Sequence, residues 1–276
     1  MHLITVMDYQ DPNGIAMGKA WLYFAKRFNP SARITVFHGD HIAEISAFSR
    51  LFSDVEYIRL RQEDILTHRH MRGWVVPSQD LTMSLWRHVG NSREFSKVIC
   101  AEADAWILAP LDEWWDVADE QPFIAVHEYT LSGRLHFNFG TYSYNSVDGF
   151  ITYEKLIQQY HGDGDWILYP LGDQGLLNRY FHATGYNWQH PRIGYAYNTW
   201  ALQSTTLRAD DEDIVVHSGD TPLPAAPQDH WITTWGGWGK HVRAKILHAF
   251  WRKFWTLPEC DFLWRYALAK VRTLES

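Results

Sequence analysis

Apolar and polar positions along the chain follow two periods. Leu3 to Met7 is a short apolar run closed by Asp8-Tyr9, which predicts a strand ending at a polar edge. After a loop with Pro12 and Gly14, the segment Ala16 to Phe28 places Ala20, Phe24, Ala25 and Phe28 at helical spacing, and Asn29-Pro30 stops it. Arg33 to Phe37 predicts a second strand, Ile42 to Phe52 a second helix, and Val55 to Ile58 a third strand. This alternation predicts a parallel sheet flanked by helices. Residues 59–77 are polar, rich in Arg and His, without a period, and read as a long loop. Asp80 to Val89 reads as a helix and Lys97 to Cys100 as a strand. Strands are then expected at Phe123 to Val126 and Phe137 to Tyr144, and helices at Val147 to Tyr160 and Asp173 to Phe181. Residues 185–203 are aromatic and irregular; Ile214 to Val216 is a short strand ending at His217. Val242 to Trp255 and Asp261 to Val271 predict two amphipathic helices on either side of Pro258. The glycine-rich joint TTWGGWGK divides a main domain, residues 1–235, from a helical extension, residues 236–276.

Composition adds three points. A chain of 276 residues with 46% hydrophobic and 21% charged positions suits one large globular domain with an extension. Its two cysteines, Cys100 and Cys260, have neither metal-site spacing nor the makings of a disulfide framework, which fits a reducing, cytoplasmic compartment. The N-terminal stretch lacks a leader pattern, and no apolar run is long enough to span a bilayer. Charge is uneven: residues 240–276 hold eight Lys and Arg against three Asp and Glu, although the chain carries −7 overall. The strongly acidic body argues against a general nucleic-acid binder, and the basic tail needs its own explanation.

The stretch VICAEADAWILAPLDEWW is the first candidate for chemistry. An apolar strand runs into Glu102-Ala103-Asp104, and a second apolar segment runs out. Parallel α/β sheets collect ligands at the carboxyl ends of their strands. Two carboxylates presented there make a hard, oxygen-rich site suited to Mn²⁺ or Mg²⁺. The same spacing recurs at Asp163-Gly164-Asp165 and Asp211-Glu212-Asp213 outside any strand context, where it reads as loop turns; the incoming strand distinguishes Glu102 and Asp104. His217, at the end of a strand, is a candidate third ligand, and Gly219 beside it would admit a phosphate close to the backbone.

In order, the strand ending at Asp8-Tyr9, KVICAEADAWILAPLDEWW, FNFGTYSYN (137–145), GDQGLLNRYF (172–181) and VVHSGDTPLP (215–224) resemble the GT-A glycosyltransferases, most of all glycosyltransferase family 8, over roughly residues 3–224. The resemblance implies an α/β GT-A fold with a mostly parallel central sheet. It also implies transfer of a sugar from a nucleotide-diphosphate donor, of UDP-sugar type, to a hydroxyl acceptor with retention of configuration. By this resemblance Glu102 and Asp104 match the metal-binding triplet, Asp104 also facing the donor, and His217 matches the third metal ligand. Asp8 and Tyr9 match the end of the first strand, where the nucleobase is held. Asn138 matches a donor-sugar contact, Arg87 a donor-contacting Arg, and Asp173-Gln174 a pair whose Asp contacts the donor sugar and whose Gln lies beneath the anomeric carbon. Gln174 is a neutral amide, so its role there is electrostatic or positional support.

Three departures stand out. Glu102 replaces an Asp, and Phe139 a small residue. The family's pattern H-x-x-G-x-x-K-P-W is missing its Lys after His217, with Pro222 near that place, so the diphosphate charge needs another partner, for which Lys240 or Arg243 could serve. The segment HVRAKILHAFWRKFW mixes bases with aromatic rings. It reads as a helix packed on the domain with a solvated basic face, as a surface for peripheral contact with the inner face of a membrane, or as a nucleic-acid grip; the family's lipooligosaccharide transferases favour a carbohydrate or glycolipid acceptor. Two other functions fit an α/β sheet with acidic residues: a nucleotidyltransferase, for which DYQDPNGIAMGK is a poor phosphate loop, and a non-catalytic nucleotide- or sugar-binding module.

Overall fold

The computed structural model describes residues 1–39, 45–60, 85–86, 88–90, 92–129, 135–145, 172–200, 204–209, 214–218, 244–249 and 253–276. The helix expected at 147–160, most of the loop at 59–77, the joint TTWGGWGK, Arg87 and Gly219 lie outside them.

A six-stranded sheet forms the centre. Its strands are β1 (His2–Met7), β2 (Arg33–His38), β3 (Glu56–Arg59), β4 (Lys97–Ala101), β6 (Phe123–Tyr129) and β7 (Leu135–Asn145), in the order β3-β2-β1-β4-β7-β6. The pairs β1–β2, β2–β3 and β1–β4 are parallel, and β7 runs antiparallel to both neighbours. Strand order reverses at β1, between β2 and β4, and such a reversal opens a crevice at the strands' carboxyl ends. Asp8 follows β1 there and Glu102 follows β4.

Period-2 alternation sends each central strand to two cores. Leu3 and Met7 of β1 and Ile99 and Ala101 of β4 enter one, while Ile4, Val98 and Cys100 enter the other. The first core is roofed by α1 (Pro12–Phe28) and α2 (Ile45–Leu51). Helix α1 starts where the Gly14 amide donates to Asp11 Oδ1 at 2.9 Å, with Pro12 in its first turn, where no amide hydrogen is required. Asn29 caps its end and also accepts the Leu111 amide, just ahead of α3 (Asp112–Val117). The second core is mostly aromatic, with Phe123, Phe137, Phe139 and Tyr142 meeting Phe181 of α4 (Gly172–Thr184).

A second, three-stranded sheet has the order β5-β11-β8, from β5 (Ala105–Ile107), β8 (Thr199–Trp200) and β11 (Ile246–His248). A hairpin of β9 (Ser204–Ala209) and β10 (Ile214–Ser218) makes the third. The helix expected over 242–255 does not form. Ile246–His248 pairs antiparallel with β5 and parallel with β8, and Phe254–Thr256 is a short 3₁₀ turn. The reason is burial: Phe254 stacks on Trp106 with ring centroids 3.9 Å apart, and both side chains are fully enclosed. The final helix, α5 (Asp261–Glu275), packs on α1 and places Trp264 against the same cluster.

Candidate active site

The turn between β4 and β5 builds the site. The Ala105 amide donates to Glu102 O at 2.8 Å, which folds Glu102-Ala103-Asp104-Ala105 into a tight turn. The Glu102 amide donates to Gly140 O on β7 at 2.9 Å and anchors the turn to the main sheet. Ala103 points inward and is buried. The two carboxylates therefore share a side through a turn and not through strand alternation.

His248 completes the group. Its backbone pairs with Ala105, and the Ala249 amide donates to Asp104 O at 2.8 Å. Its Nε2 lies 3.6 Å from both Glu102 Oε2 and Asp104 Oδ1. Among the described residues, Glu102, Asp104 and His248 are the group able to hold a metal ion, with their ligand atoms within 4.8 Å of one another. Two ligands bonded to one ion at about 2.2 Å sit roughly 3.1–3.6 Å apart, so the His248 spacings fit a shared divalent cation. The donor set, two carboxylates and one imidazole, suits Mn²⁺ better than Mg²⁺. Burial holds the His248 imidazole down at about 4, against the opposing pull of Asp104, so the ring is neutral at pH 7 as a ligand must be.

Lys253 is the cation already present. Its Nζ donates to Asp104 Oδ2 at 2.5 Å. Burial, the largest single influence, would raise the Asp104 carboxyl, but the Lys253 ammonium, His248 and a backbone hydrogen bond together hold that group below the usual carboxylate range. The attraction is mutual: burial disfavours the ammonium, and Asp104, with Glu102 and Asp11, more than restores it.

The expected site residues are placed as follows. Asp8 and Tyr9 leave β1 beside the carboxylates; burial, then the charges of Asp104 and Glu102, push the Tyr9 phenol well above its ordinary value. The Asp8 carboxylate packs beside Gly39, at the end of β2. Asn138 and Gln174 are both buried, and they meet at Phe139, whose amide donates to Gln174 Oε1 at 3.1 Å. Asp173 lies in the first turn of α4 and His217 in β10 opposite Thr206; their side chains lie outside the described residues.

Sequence reading missed His248, Asn198 and Lys253. The signal was there in HAFWRKFW (248–255), which carries His, Lys and Trp in the order of the family pattern, with the Lys one residue early. A neighbouring cluster holds this segment in place. The Lys245 ammonium and Tyr197 hydroxyl both donate to Glu113 Oε2, at 2.7 and 2.6 Å, and the Lys245 amide donates to Ala196 O. The Lys245 bond, then that from Tyr197, draws the Glu113 carboxyl down to about 2.

No protein-family model matches the chain, and no curated protein does. Solved structures do match. The galactosyltransferase LgtC, in complex with donor and acceptor sugar analogues, superposes with a TM-score of 0.62 at 14% identity, over 98% of this chain and 96% of LgtC. The fold is that of the GT-A glycosyltransferases. The apo glycosyltransferase GlyE of Streptococcus pneumoniae TIGR4 gives a TM-score of 0.63 at 16% identity, over 99% of this chain and 61% of GlyE. Apo mouse xyloside xylosyltransferase 1 gives 0.55 at 12% identity, over 93% of this chain and 98% of its own.

Proposed function

We propose that this protein is a metal-dependent glycosyltransferase that moves a sugar from a nucleotide-diphosphate donor, of UDP-sugar type, to a hydroxyl of a carbohydrate or glycolipid acceptor, with retention. The observation that carries this reading is the convergence of Glu102, Asp104 and His248 at the crevice between β1 and β4. Glu102, Asp104 and His248 would hold Mn²⁺. When bound, such an ion supplies positive charge to the oxygens of a departing diphosphate.

The chain's own residues take the other roles. Tyr9 and Asp8 line the end of β1 where a nucleobase would lie. Among the described residues, Lys253 is a cation at hand to meet diphosphate charge; Lys240 and Arg243 lie outside them. Gln174 is anchored through its oxygen to the Phe139 amide, and it supports the sugar-binding strand as a fixed neutral group. Asp173 sits one position before it, and an acid in the first turn of a helix is favoured by the helix dipole. His217, read from the sequence as the third metal ligand, gives that part to His248 in this proposal.

Peripheral membrane contact, where the acceptor is lipid-linked, falls to the outer face of α5. Phe262 is exposed there on the side that carries Arg265 and Arg272. Lys245, Lys253 and Phe254 of the basic aromatic segment are instead spent on Glu113, Asp104 and Trp106. Among the described residues, no helix is long and apolar enough to cross a membrane.

The test is a donor screen across UDP- and GDP-sugars with Mn²⁺, scored by nucleotide release and thermal shift. A UDP-sugar should be turned over by the wild type, with losses of 100-fold or more in Asp104→Ala and His248→Ala. His217→Ala should retain Mn²⁺ binding. If no nucleotide-sugar shifts melting, or if Asp104→Ala and His248→Ala leave turnover unchanged, the reading fails.

A further inference from the structure

Behind the metal-type cluster lies a chain of buried amides whose proton positions can be deduced without ambiguity. Asn138, Asn198 and His248 are 1%, 2% and 2% exposed. The Gly140 backbone amide lies 2.8 Å from Asn138 Oδ1. A backbone N–H only donates, so the Asn138 atom facing it is the carbonyl oxygen. That oxygen only accepts, so the Asn198 atom 2.9 Å away is the amide nitrogen. The other end of Asn198 is then its oxygen, and it faces His248 Nδ1 at 3.0 Å. Nδ1 must therefore carry the hydrogen. In a neutral imidazole the lone pair is left on Nε2, the atom 3.6 Å from both Glu102 and Asp104.

We infer that Asn198 is a positioning residue for the candidate metal site: oriented by Asn138, it locks His248 into the one tautomer whose lone pair faces the carboxylates. This rests on the metal reading above only for its effect on the ion; the tautomer itself does not depend on it. Without Asn198, the two neutral tautomers compete, the wrong one turns an N–H toward Glu102 and Asp104, and the ring loses the contact that fixes its plane. Outer partners of this kind change metal affinity by about 10–100-fold. The same chain joins the FNFG strand to the metal cluster, because Asn138 spends its oxygen on Gly140 and Asn198.

The test begins with the metal-free full-length protein at pH 7, ¹⁵N-labelled at histidine. Long-range ¹H–¹⁵N correlation identifies the His248 tautomer, with the resonance assigned by its loss in His248→Gln. The expected result is a proton on Nδ1 and none on Nε2. Asn198→Leu should give a tautomer mixture and weaken Mn²⁺ binding about 10–100-fold, read from the electron paramagnetic resonance signal of free Mn²⁺. Asn198→Asp, which still accepts from Nδ1–H but loses the donor to Asn138 Oδ1, should keep the proton on Nδ1. A wild-type proton on Nε2 overturns the inference, and this needs no variant to fold. So does an Asn198→Leu protein that keeps both the tautomer and the affinity. A wild type that carries the proton on Nδ1 yet binds no Mn²⁺ sinks the metal reading and leaves the amide chain supported.

Discussion

The Lys253 ammonium sits 2.5 Å from Asp104 Oδ2, so the chain supplies its own cation to the carboxylate that the candidate metal site needs most. Asp104 is almost buried, and a buried carboxylate without a partner is costly. Lys253 offsets that cost in the metal-free protein.

Replacing this lysine should therefore change stability in a metal-dependent way. Lys253→Met leaves Asp104 unpaired, and a loss of about 1–3 kcal/mol is expected without metal, a drop of several degrees in Tm. Millimolar Mn²⁺ should recover more of that loss than it adds to the wild type, because the ion no longer competes with the ammonium. Differential scanning fluorimetry with and without Mn²⁺ checks both. Equal Mn²⁺-induced shifts in the two proteins would show that Lys253 and the ion do not contend for Asp104.

Gly140 makes a second prediction. A Cβ at this position would overlap the His248 ring and crowd Asn138. Gly140→Ala must push the imidazole away from Glu102 and Asp104, since the competing atoms belong to a buried ring held by Asn198. The expected outcome is a folded protein, judged by circular dichroism, whose Mn²⁺ affinity falls at least tenfold. Titration calorimetry measures it, and unchanged affinity would mean that the ring does not serve the metal.

His2 gives the pH dependence. Its Nε2–H donates at 2.9 Å to Thr35 Oγ1, whose own hydrogen goes to Glu56. Burial, with the Arg33 charge adding to it, lowers the His2 imidazole to about 4. The folded state thus keeps His2 neutral while the unfolded chain takes up a proton below about 6.5. Stability from this group is level above that pH and declines as pH falls from about 6.5 toward 4. Between pH 7.5 and 5 the wild type should lose about 1–2 kcal/mol more than His2→Gln, which keeps a donor to Thr35 and does not titrate. Urea unfolding at both pH values reads the difference, and parallel losses would overturn it.

Much of the fold was legible because its signals are local. Leu3 to Met7, Arg33 to Phe37 and Lys97 to Cys100 are apolar runs closed by polar residues, and α1 shows its own period and stop. Glu102 and Asp104 were legible for the same reason: the strand that delivers them lies directly before them. His248 was not. ILHAF is a short apolar run that serves a strand or a buried helix equally well, and basic residues on both sides tipped it toward an amphipathic helix. Only its pairing with Ala105–Ile107, far away in the chain, makes it a strand.

The sequence by itself determined the alternating α/β order, the carboxylate pair at the end of a core strand, and the type of chemistry those groups favour. Periodicity and polar stops act over a few residues, and these features need no more. The tertiary structure decided which histidine joins the carboxylates, which lysine neutralises Asp104, and which nitrogen of His248 carries its proton. Each depends on contacts between distant segments: β11 laid against β5, Phe254 stacked on Trp106, and Asn198 wedged between Asn138 and the ring. Long-range strand pairing and buried amide geometry leave no periodic trace in the residues that make them.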